Sequence, residues 1–339
     1  MTDTARDPTP SAGAGDTPPP DVSVIIVNYN GLRFMAECLD GLRQGAFTRY
    51  RHEVIVIDNA SSDGSQAFLR ERTDIRYIES PLNLGFTGGN NRAAADARGR
   101  VLLLLNNDTR IDGPLDALVD QALQPGVGAV GPRLAYGDGR LQLSVGFEHT
   151  PMRIVLSWLG LQGLQRLPPV FRRMHTDPAF YDTSHPQVDW VSGAVLATRT
   201  EVWRSLDGLD DNFFMYCEDV DYCRRVALKG LRVAYTADVR VTHYEGAGKA
   251  WIGGMAVART SRSYFEFVTK HFGVNAAQRM AVALSSLFFA RSVACVLFGA
   301  LAVFKPARSA LWRDKGRGYY AAAGLLLRAG LRGGMAERV

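Results

Sequence analysis

A run of five apolar residues, followed at once by three polar ones, most constrains the fold of this 339-residue chain. The apolar run covers 101–105, and Asn106, Asn107 and Asp108 follow it. A continuous apolar run of this length predicts a strand buried on both faces, as in the middle of a parallel sheet. Ligands of open α/β sheets bind just beyond the carboxyl ends of such strands, so we expect a crevice there. The alternative is a strand that ends in an ordinary Asx turn.

Strands and helices alternate on both sides of this run. Further short strands are predicted at 22–27, 54–57, 75–78, 127–130, 188–198, 231–235 and 239–241. Helices are predicted at 32–42, 92–97, 114–123, 201–205 and 219–229. Alternation at this spacing predicts an α/β fold with a mostly parallel sheet flanked by helices. The polar residues follow the strands, so they should collect at one edge of the sheet.

The ends of the chain differ from its middle. Residues 1–21 are rich in Pro, Thr, Asp and Gly and have no apolar run, which predicts disorder. They also lack the pattern of a signal peptide, so we expect a cytoplasmic protein. Of the net charge of +5, residues 305–339 carry +6 and the remainder sums to −1. A catalytic region without a basic surface argues against a nucleic-acid partner.

Beyond residue 250 the pattern becomes helical, and 280–304 is strongly apolar with Arg291 as its only charge. A segment of this length could cross a bilayer. A charge at the centre of a crossing is costly, and the basic flank suits an anionic surface. We therefore favour a helical extension, 251–339, that associates with the membrane through 280–339 and lies on its inner face. A core helix or a homodimer contact is the alternative.

Several polar residues at strand ends are candidates for ligand binding. Asp58 could accept a hydrogen bond from a pyrimidine ring or from a ribose hydroxyl. The glycine fingerprint of dinucleotide-binding folds is missing after the first strand, where Asn28 and Gly31 stand, so a nicotinamide enzyme is disfavoured. No phosphate-binding P-loop pattern occurs either. A diphosphate would then need a metal ion or basic groups.

Asp108 and His243 are candidate metal ligands, because carboxylate oxygen and neutral imidazole both suit Mn²⁺. A lone His, however, is more often an ordinary hydrogen-bonded residue. Glu218 and Asp219 begin a predicted helix, where negative charge is favourable, so both could be capping residues. Asp219 also has aromatic neighbours that would raise its basicity, so it could instead take a proton from an acceptor hydroxyl.

Seven short motifs follow one another in order along the chain. They are VSVIIVNYNG from Val22, VIDNASSDGS from Val56, NLGFTGGNN from Asn83, NND from Asn106, WVSGA from Trp190, EDVD from Glu218, and His243 with Gly246. Together they resemble glycosyltransferase family 2, which has the GT-A fold, over about residues 22–248 and more loosely to 273. The resemblance implies a GT-A domain at 22–250. Within that family, the chain is most similar to the bacterial rhamnosyltransferases.

The resemblance implies roles for individual residues. Asp58 would hold a pyrimidine base with Asn28 and Asp63 nearby, and Trp190 would border the acceptor or the sugar. The donor pocket would be lined by Asn83, Gly85, Asn91 and Asn107. Asp108 and His243 would bind Mg²⁺ or Mn²⁺. Asp219 would be the catalytic base, with Glu218 beside it facing the acceptor. Asn106 departs from the family, because an acid usually stands there.

The function implied by the resemblance is an inverting, metal-dependent transfer of a sugar. The donor would be a nucleotide-diphosphate sugar, dTDP-L-rhamnose in the first place. The acceptor would be a glycan or a polyprenyl-diphosphate-linked molecule used in cell-envelope polysaccharide synthesis. The alternative is a protein of the same fold that binds nucleotide-sugars without turnover, against which the intact Asp108, Asp219 and His243 count.

Overall fold

The structure, a computed structural model, describes residues 18–159, 168–244, 249–301 and 306–332. Most of the segment predicted to be disordered lies outside these ranges. Asp21, its last residue, is ordered: its backbone N–H donates to the carbonyl of Arg51, at 2.8 Å. Its carboxylate lies 3.4 Å from the guanidinium of Arg100.

The described part of the chain contains twelve strands and ten α-helices. The strands are β1 (Val22–Asn28), β2 (His52–Asn59), β3 (Arg76–Ser80), β4 (Val101–Leu105), β5 (Thr109–Ile111), β6 (Val127–Ala135), β7 (Leu141–Gln142), β8 (Val145–Gly146), β9 (His185–Val188), β10 (Trp190–Val191), β11 (Val195–Arg199) and β12 (Arg232–His243). The helices are α1 (Leu32–Arg43), α2 (Ser65–Arg70), α3 (Gly85–Ala94), α4 (Asp116–Ala122), α5 (Pro151–Ser157), α6 (Thr200–Ser205), α7 (Glu218–Leu228), α8 (Lys249–Phe272), α9 (Val274–Leu301) and α10 (Pro306–Arg332).

The main sheet has the strand order β3-β2-β1-β4-β11-β6-β12-β5. The first four strands pair in parallel, which confirms the predicted α/β sheet flanked by helices. Strand β11 then runs antiparallel between β4 and β6, an arrangement that the sequence did not predict. Because Asn28 of β1 is the register partner of Asp58 of β2, the two polar strand ends stand side by side.

Alternate side chains of the central strands enter two hydrophobic cores. Leu102 and Leu104 of β4 pack on one side of the sheet, and Leu103 and Leu105 on the other. All five residues of β4 are buried, which explains its continuous apolar sequence. The first core also contains side chains of the C-terminal helices, among them the buried Tyr264 of α8. The predicted domain boundary at residue 250 falls at the start of α8 and remains a prediction.

The predicted Gly/Asn loop at 83–91 is wrong, because α3 already begins at Gly85. Glycine disfavours helices in isolation, but here it permits close packing. A Cβ on Gly89 would lie 2.8 Å from Cγ1 of Val27, so only glycine lets α3 approach β1 this closely. The strand predicted at 188–198 is also interrupted, between β10 and β11, at Ser192–Gly193.

Helices α9 and α10 form an antiparallel pair that packs through small residues. Ser285 donates to the carbonyl of Ala323 and Ser292 to that of Gly316, at 2.8 and 2.9 Å. Helix α9 is long and apolar enough to cross a membrane, with one third of its most apolar window buried. Arg291 does not face outward: its guanidinium donates to the carbonyl of Trp158 at the end of α5.

Candidate functional site

Three polar side chains form a hydrogen-bonded row at the carboxyl edge of the parallel strands. The amide nitrogen of Asn28 donates to Oδ2 of Asp58, at 2.7 Å. The amide oxygen of Asn28 accepts from Nδ2 of Asn107, also at 2.7 Å. Asn28 and Asp58 are fully buried. A Cβ on Gly31 would lie 2.0 Å from Nδ2 of Asn107, so glycine is needed for the chain to pass this row.

Asp58 is held by the loop that follows its own strand. Its Oδ1 accepts from the backbone N–H of Ser61 at 2.8 Å and from Nε2 of Gln66 at 3.2 Å. Both carboxylate oxygens therefore have protein partners, which fix the orientation of the group at the strand end. Contact of Asp58 with a nucleotide base remains a prediction.

Asp63 organises the starts of two helices. Its oxygens accept from the backbone N–H groups of Leu32 in α1 and Ser65 in α2, at 2.9 and 3.0 Å. Burial would raise the pKa of Asp63, but its hydrogen bonds with Ser65 and Leu32 lower it below the usual value. Asp63 thus joins the loops after β1 and β2, and its predicted nucleotide contact remains untested.

The turn before α3 is fixed by Asn83 and Gly85. Oδ1 of Asn83 accepts from the backbone N–H of Gly85, at 2.9 Å. Gly85 has φ +75°, and a Cβ there would lie 2.3 Å from the carbonyl oxygen of Phe214. That carbonyl accepts from the N–H of Phe86 at 2.9 Å. The predicted donor-pocket segment therefore lies against the loop that leads into α7.

Asn91 fastens α3 to the loop after α6. Its amide nitrogen donates to the carbonyl of Leu209 and to Asp211, at 2.8 and 2.9 Å. Its amide oxygen accepts from the N–H of Leu209, at 2.9 Å. The side chain is thus used in holding the fold together, and its predicted place in the donor pocket remains a prediction.

Asp108 and His243 lie together as expected for metal ligands. Oδ1 of Asp108 is 3.1 Å from Nε2 of His243. The other ring nitrogen, Nδ1, is 3.1 Å from Oε1 of Gln142, an acceptor. Nδ1 therefore carries the proton in the neutral ring and Nε2 presents a lone pair. Gln142 lies in a part of the sequence without regular pattern, and no sequence signal identified it.

The geometry of this pair fits a divalent cation. A lone pair on Nε2 and a carboxylate oxygen at 3.1 Å repel each other unless a proton or a cation lies between them. The side-chain nitrogen of Asn106 also lies 3.1 Å from Nε2 of His243, so the third polar side chain beside this pair is uncharged. Among the described residues, no set of three or more His, Cys, Asp or Glu side chains could hold a metal ion. The other coordination positions would thus fall to substrate oxygens and water.

Asp219 is held at the N-terminus of α7 by backbone donors. Its Oδ2 accepts from the N–H of Gly193 at 2.9 Å, and its Oδ1 accepts from the N–H of Val220 at 2.8 Å. Two residues with positive φ precede the helix, Tyr216 at 73° and Cys217 at 68°. Left-handed backbone at two consecutive non-glycine residues is strained, and such strain is common at functional sites.

Glu218 is buried beside Asp219, and its Oε2 has no hydrogen-bond partner in the described part of the chain. Burial and the negative charge of Asp219 raise the pKa of Glu218 well above its usual value. Burial also raises the pKa of Asp219, although the N–H groups of Gly193 and Val220 oppose the shift. Two adjacent carboxyl groups with raised pKa values fit a site that accepts protons near neutral pH.

One backbone segment joins the metal pair to this carboxylate. The N–H of Asn106 donates to the carbonyl of Ala194 at 2.9 Å. The preceding residue, Gly193, donates to Asp219. The predicted metal site and the predicted base are therefore close neighbours, on the two sides of the break between β10 and β11.

Trp190 is buried at this break, and its Nε1 donates to the carbonyl of Phe147, at 2.9 Å. The ring of His149 meets it edge-on, with centroids 5.4 Å apart. These two contacts fix the orientation of the Trp190 ring. Its predicted contact with acceptor or sugar remains a prediction.

Arg173 was not identified from the sequence. Its positive charge lowers the pKa of Asp219, whereas burial raises it.

Residues 23–177 match the family model described as glycosyl transferase family 2. The chain thus contains a glycosyltransferase family 2 domain. The O-antigen biosynthesis protein RfbC of Myxococcus xanthus is 34% identical over 242 residues, which are 68% of this chain and 18% of that protein. The N-acetylglucosaminyl-diphospho-decaprenol L-rhamnosyltransferase of Mycobacterium tuberculosis is 28% identical over 210 residues, 57% of this chain and 66% of that protein. The chain thus spans less than two thirds of either relative.

Solved structures agree on the fold. A mannosyltransferase from Pyrobaculum calidifontis, in complex with GDP-Man and Mn²⁺, superposes with a TM-score of 0.52 at 19% identity. The superposition covers 94% of this chain and 90% of that one. GalNAc-T7 with UDP, GalNAc and Mn²⁺ gives a TM-score of 0.53 at 14% identity, over 78% and 51% of the two chains. The predicted GT-A-type fold is confirmed.

Two of the three acids of α7, Glu218 and Asp221, are expected to affect stability in opposite directions. Since the folded pKa of Glu218 is raised, its ionisation destabilises the fold as pH rises above the unfolded value of 4.5. Glu218→Gln should therefore unfold at higher urea than wild type at pH 7 and match it near pH 4 (roughly the unfolded pKa). Urea titrations across this range measure the difference. A constant difference at all pH values would contradict the assignment.

Asp221 is the matched control, because its pKa is shifted the other way. Burial would raise this pKa, but His271, Arg225 and Lys270 lower it. Ionised Asp221 stabilises the fold at pH values above 3.8, its pKa in the unfolded chain. This stabilisation is lost as pH falls through the lower pKa of the folded protein. Asp221→Asn should lose about 3 kcal/mol at pH 7, because it breaks a buried ion pair.

Proposed function

We propose that this protein is an inverting, metal-dependent glycosyltransferase. It moves L-rhamnose from dTDP-rhamnose to a lipid-linked acceptor in the synthesis of a cell-envelope polysaccharide. The observation that carries the proposal is the short path from Asn106 through Ala194 and Gly193 to Asp219, which brings a metal pair and a buried base together. The rhamnosyltransferase among the relatives supports the choice of sugar and of a diphospho-polyprenol acceptor.

The reaction is a single displacement in which Asp219 acts as general base. Its raised pKa lets it take the proton of the acceptor hydroxyl as that oxygen attacks the anomeric carbon. The hydrogen bonds from Gly193 and Val220 hold the carboxylate in position for this transfer. Asp108 and His243 would hold Mg²⁺ or Mn²⁺, which supplies positive charge to the leaving diphosphate. Attack from the opposite face inverts the configuration.

Asp219→Asn is expected to remove transfer while leaving donor binding intact. Loss of a general base typically lowers kcat by about 10²–10⁴-fold. The amide is nearly the same size as the carboxylate and its oxygen can still accept one of the two backbone hydrogen bonds, so the local fold should persist. Transfer of labelled rhamnose to a lipid-linked acceptor measures kcat, and calorimetry with dTDP and Mn²⁺ measures donor-site affinity. Turnover at the wild-type rate would remove Asp219 from the role of base.

His243→Ala is expected to weaken the response to metal more than Asn106→Ala does. The segment 106–108 contains a single acid, Asp108, so His243 would be one of only two charged or imidazole ligands among the described residues. Asn106 contributes at most a neutral amide. The variant should need about tenfold or more Mn²⁺ for half-maximal transfer. Titration of EDTA-treated enzyme with Mn²⁺ gives this concentration. Full wild-type activity in EDTA would show that neither residue serves a metal.

We also propose that α9 and α10 associate with the membrane surface. Every exposed residue of α9 from 280 to 301 is Ala, Ser, Val, Leu or Phe. Its partner α10 exposes Arg313, Lys315 and Arg317. An α9 that crossed a bilayer would draw these charges of its close partner into the hydrocarbon, which favours a hairpin lying in the interface. The protein would then be peripheral on the inner face.

The double variant Phe289→Asp/Val293→Asp is expected to release the protein from vesicles. Both side chains are exposed, at 55% and 45%, so the fold should be unaffected. Two charges at the apolar surface should weaken binding about tenfold or more. Cosedimentation with vesicles rich in anionic phospholipid measures the effect. Leu228→Asp, an exposed residue of α7, is the control and should bind like wild type. Equal binding of all three proteins would exclude this face.

A further inference from the structure

Arg173 is a largely buried cation whose charge acts on the carboxylate of Asp219. Its backbone carbonyl accepts from the N–H of Phe147 at 2.9 Å. Its guanidinium lies over the ring of Tyr264, 5.6 Å from the centroid. Its Nε is buried and has no hydrogen-bond partner among the residues that the structure describes. A buried guanidinium nitrogen without an acceptor is costly unless a ligand provides one.

Arg153 of α5 is a second, partly buried cation, whose Nη1 donates to the carbonyl of Glu148 and whose guanidinium lies over the ring of Phe147, 5.2 Å from the centroid. Its Nε is also buried without a partner in the described ranges.

Burial lowers the pKa of both guanidinium groups. Both charges act on His149, whose pKa is lowered to about 3 by burial, then by Arg173 and Arg153. Neither arginine forms a salt bridge with a described residue. The charge of Asp189 acts on Arg153 and that of Asp219 acts on Arg173, but neither carboxylate pairs directly with a guanidinium group.

The two arginines lie between the base and the apolar helices. On one side, the charge of Arg173 interacts with Asp219. On the other side, Trp158 at the end of α5 packs against Phe288 of α9, with ring centroids 4.9 Å apart. Going from the α7 end towards the C-terminal helices, the protein therefore presents Asp219, then Arg173 and Arg153, and then the apolar surface of α9 and α10. A lipid-linked acceptor has the same order, with a sugar hydroxyl, a diphosphate and an apolar chain.

We propose that Arg173 and Arg153 bind the diphosphate of a lipid-linked acceptor, and so align its sugar hydroxyl with Asp219. The proposal rests on the proposed function above. Guanidinium groups match phosphate oxygens in charge and in hydrogen-bond geometry, and a diphosphate supplies acceptors for both unpaired Nε groups. The donor diphosphate is a different anion, since Asp108 and His243 serve it at the end of β4.

The test measures binding without turnover. Farnesyl diphosphate, farnesol and inorganic pyrophosphate are titrated into the full-length protein by calorimetry in EDTA, where Asp108 and His243 hold no metal. Farnesyl diphosphate should bind more tightly than either part alone. Arg173→Gln and Arg153→Gln should each weaken it by about tenfold, because each loses a charge-assisted contact. Arg173→Lys, which keeps the charge, should lie between wild type and Arg173→Gln. Arg204→Gln, on α6, is the control.

Wild-type affinity in Arg173→Gln, or no binding to the wild type, would overturn the proposal. Pyrophosphate that binds as tightly as farnesyl diphosphate would contradict the lipid-linked source of the anion. Binding of dTDP with Mn²⁺ should be unchanged in the arginine variants, and a loss of that affinity would instead assign them to the donor. Failure of the proposed function appears separately, as absence of sugar transfer by a wild type that still binds farnesyl diphosphate.

Discussion

The hydrogen bond from the N–H of Asn106 to the carbonyl of Ala194 joins the two halves of the site. It continues the antiparallel pairing of β4 with β11 beyond the last ladder pair, Leu105 with Val195. Gly193 lies between the end of β10 and the start of β11, and its N–H donates to Asp219. The edge predicted to bind the donor, built on the parallel strands, and the region around α7 meet at this contact and where the N–H of Phe86 donates to the carbonyl of Phe214. The separation between the Asp108–His243 pair and Asp219 is therefore set largely by backbone geometry, which side-chain substitutions disturb little.

The acceptor side keeps two carboxyl groups in a buried position that folding alone would disfavour. Burial raises the pKa values of Glu218 and Asp219, and the strained backbone at 216–217 adds to the cost. The N-terminus of α7 and two backbone N–H groups offset part of it. Arg173 supplies a nearby positive charge that is itself destabilised by burial. Residues whose local environment is unfavourable thus cluster where proton transfer and anion binding would occur, as expected for a site selected for function over stability.

Much of the donor side could be predicted from the sequence, because its signals are local. The apolar run before Asn106 indicated a doubly buried strand, and the parallel register then brings Asn28 beside Asp58. Other predictions failed where packing overrides local preference. The Gly/Asn segment at 83–91 forms a helix, because Gly89 lets α3 lie directly on Val27. Arg291 argued against a membrane crossing, but the sequence did not show its partner, the carbonyl of Trp158. Arg173 lies in an irregular segment and gave no signal at all.

The sequence by itself determined the alternating α/β elements, the polar strand ends with Asp58 and Asp108, and the apolar character of α9. Hydrophobic periodicity and turn chemistry report the surroundings of residues near one another in the chain, and these features depend on nothing more. Only the tertiary structure decided that β11 enters antiparallel, that His243 meets Asp108 from 135 positions further along the chain, and that the charge of Arg173 acts on Asp219. These contacts depend on how distant elements pack, and no local pattern of residues encodes them.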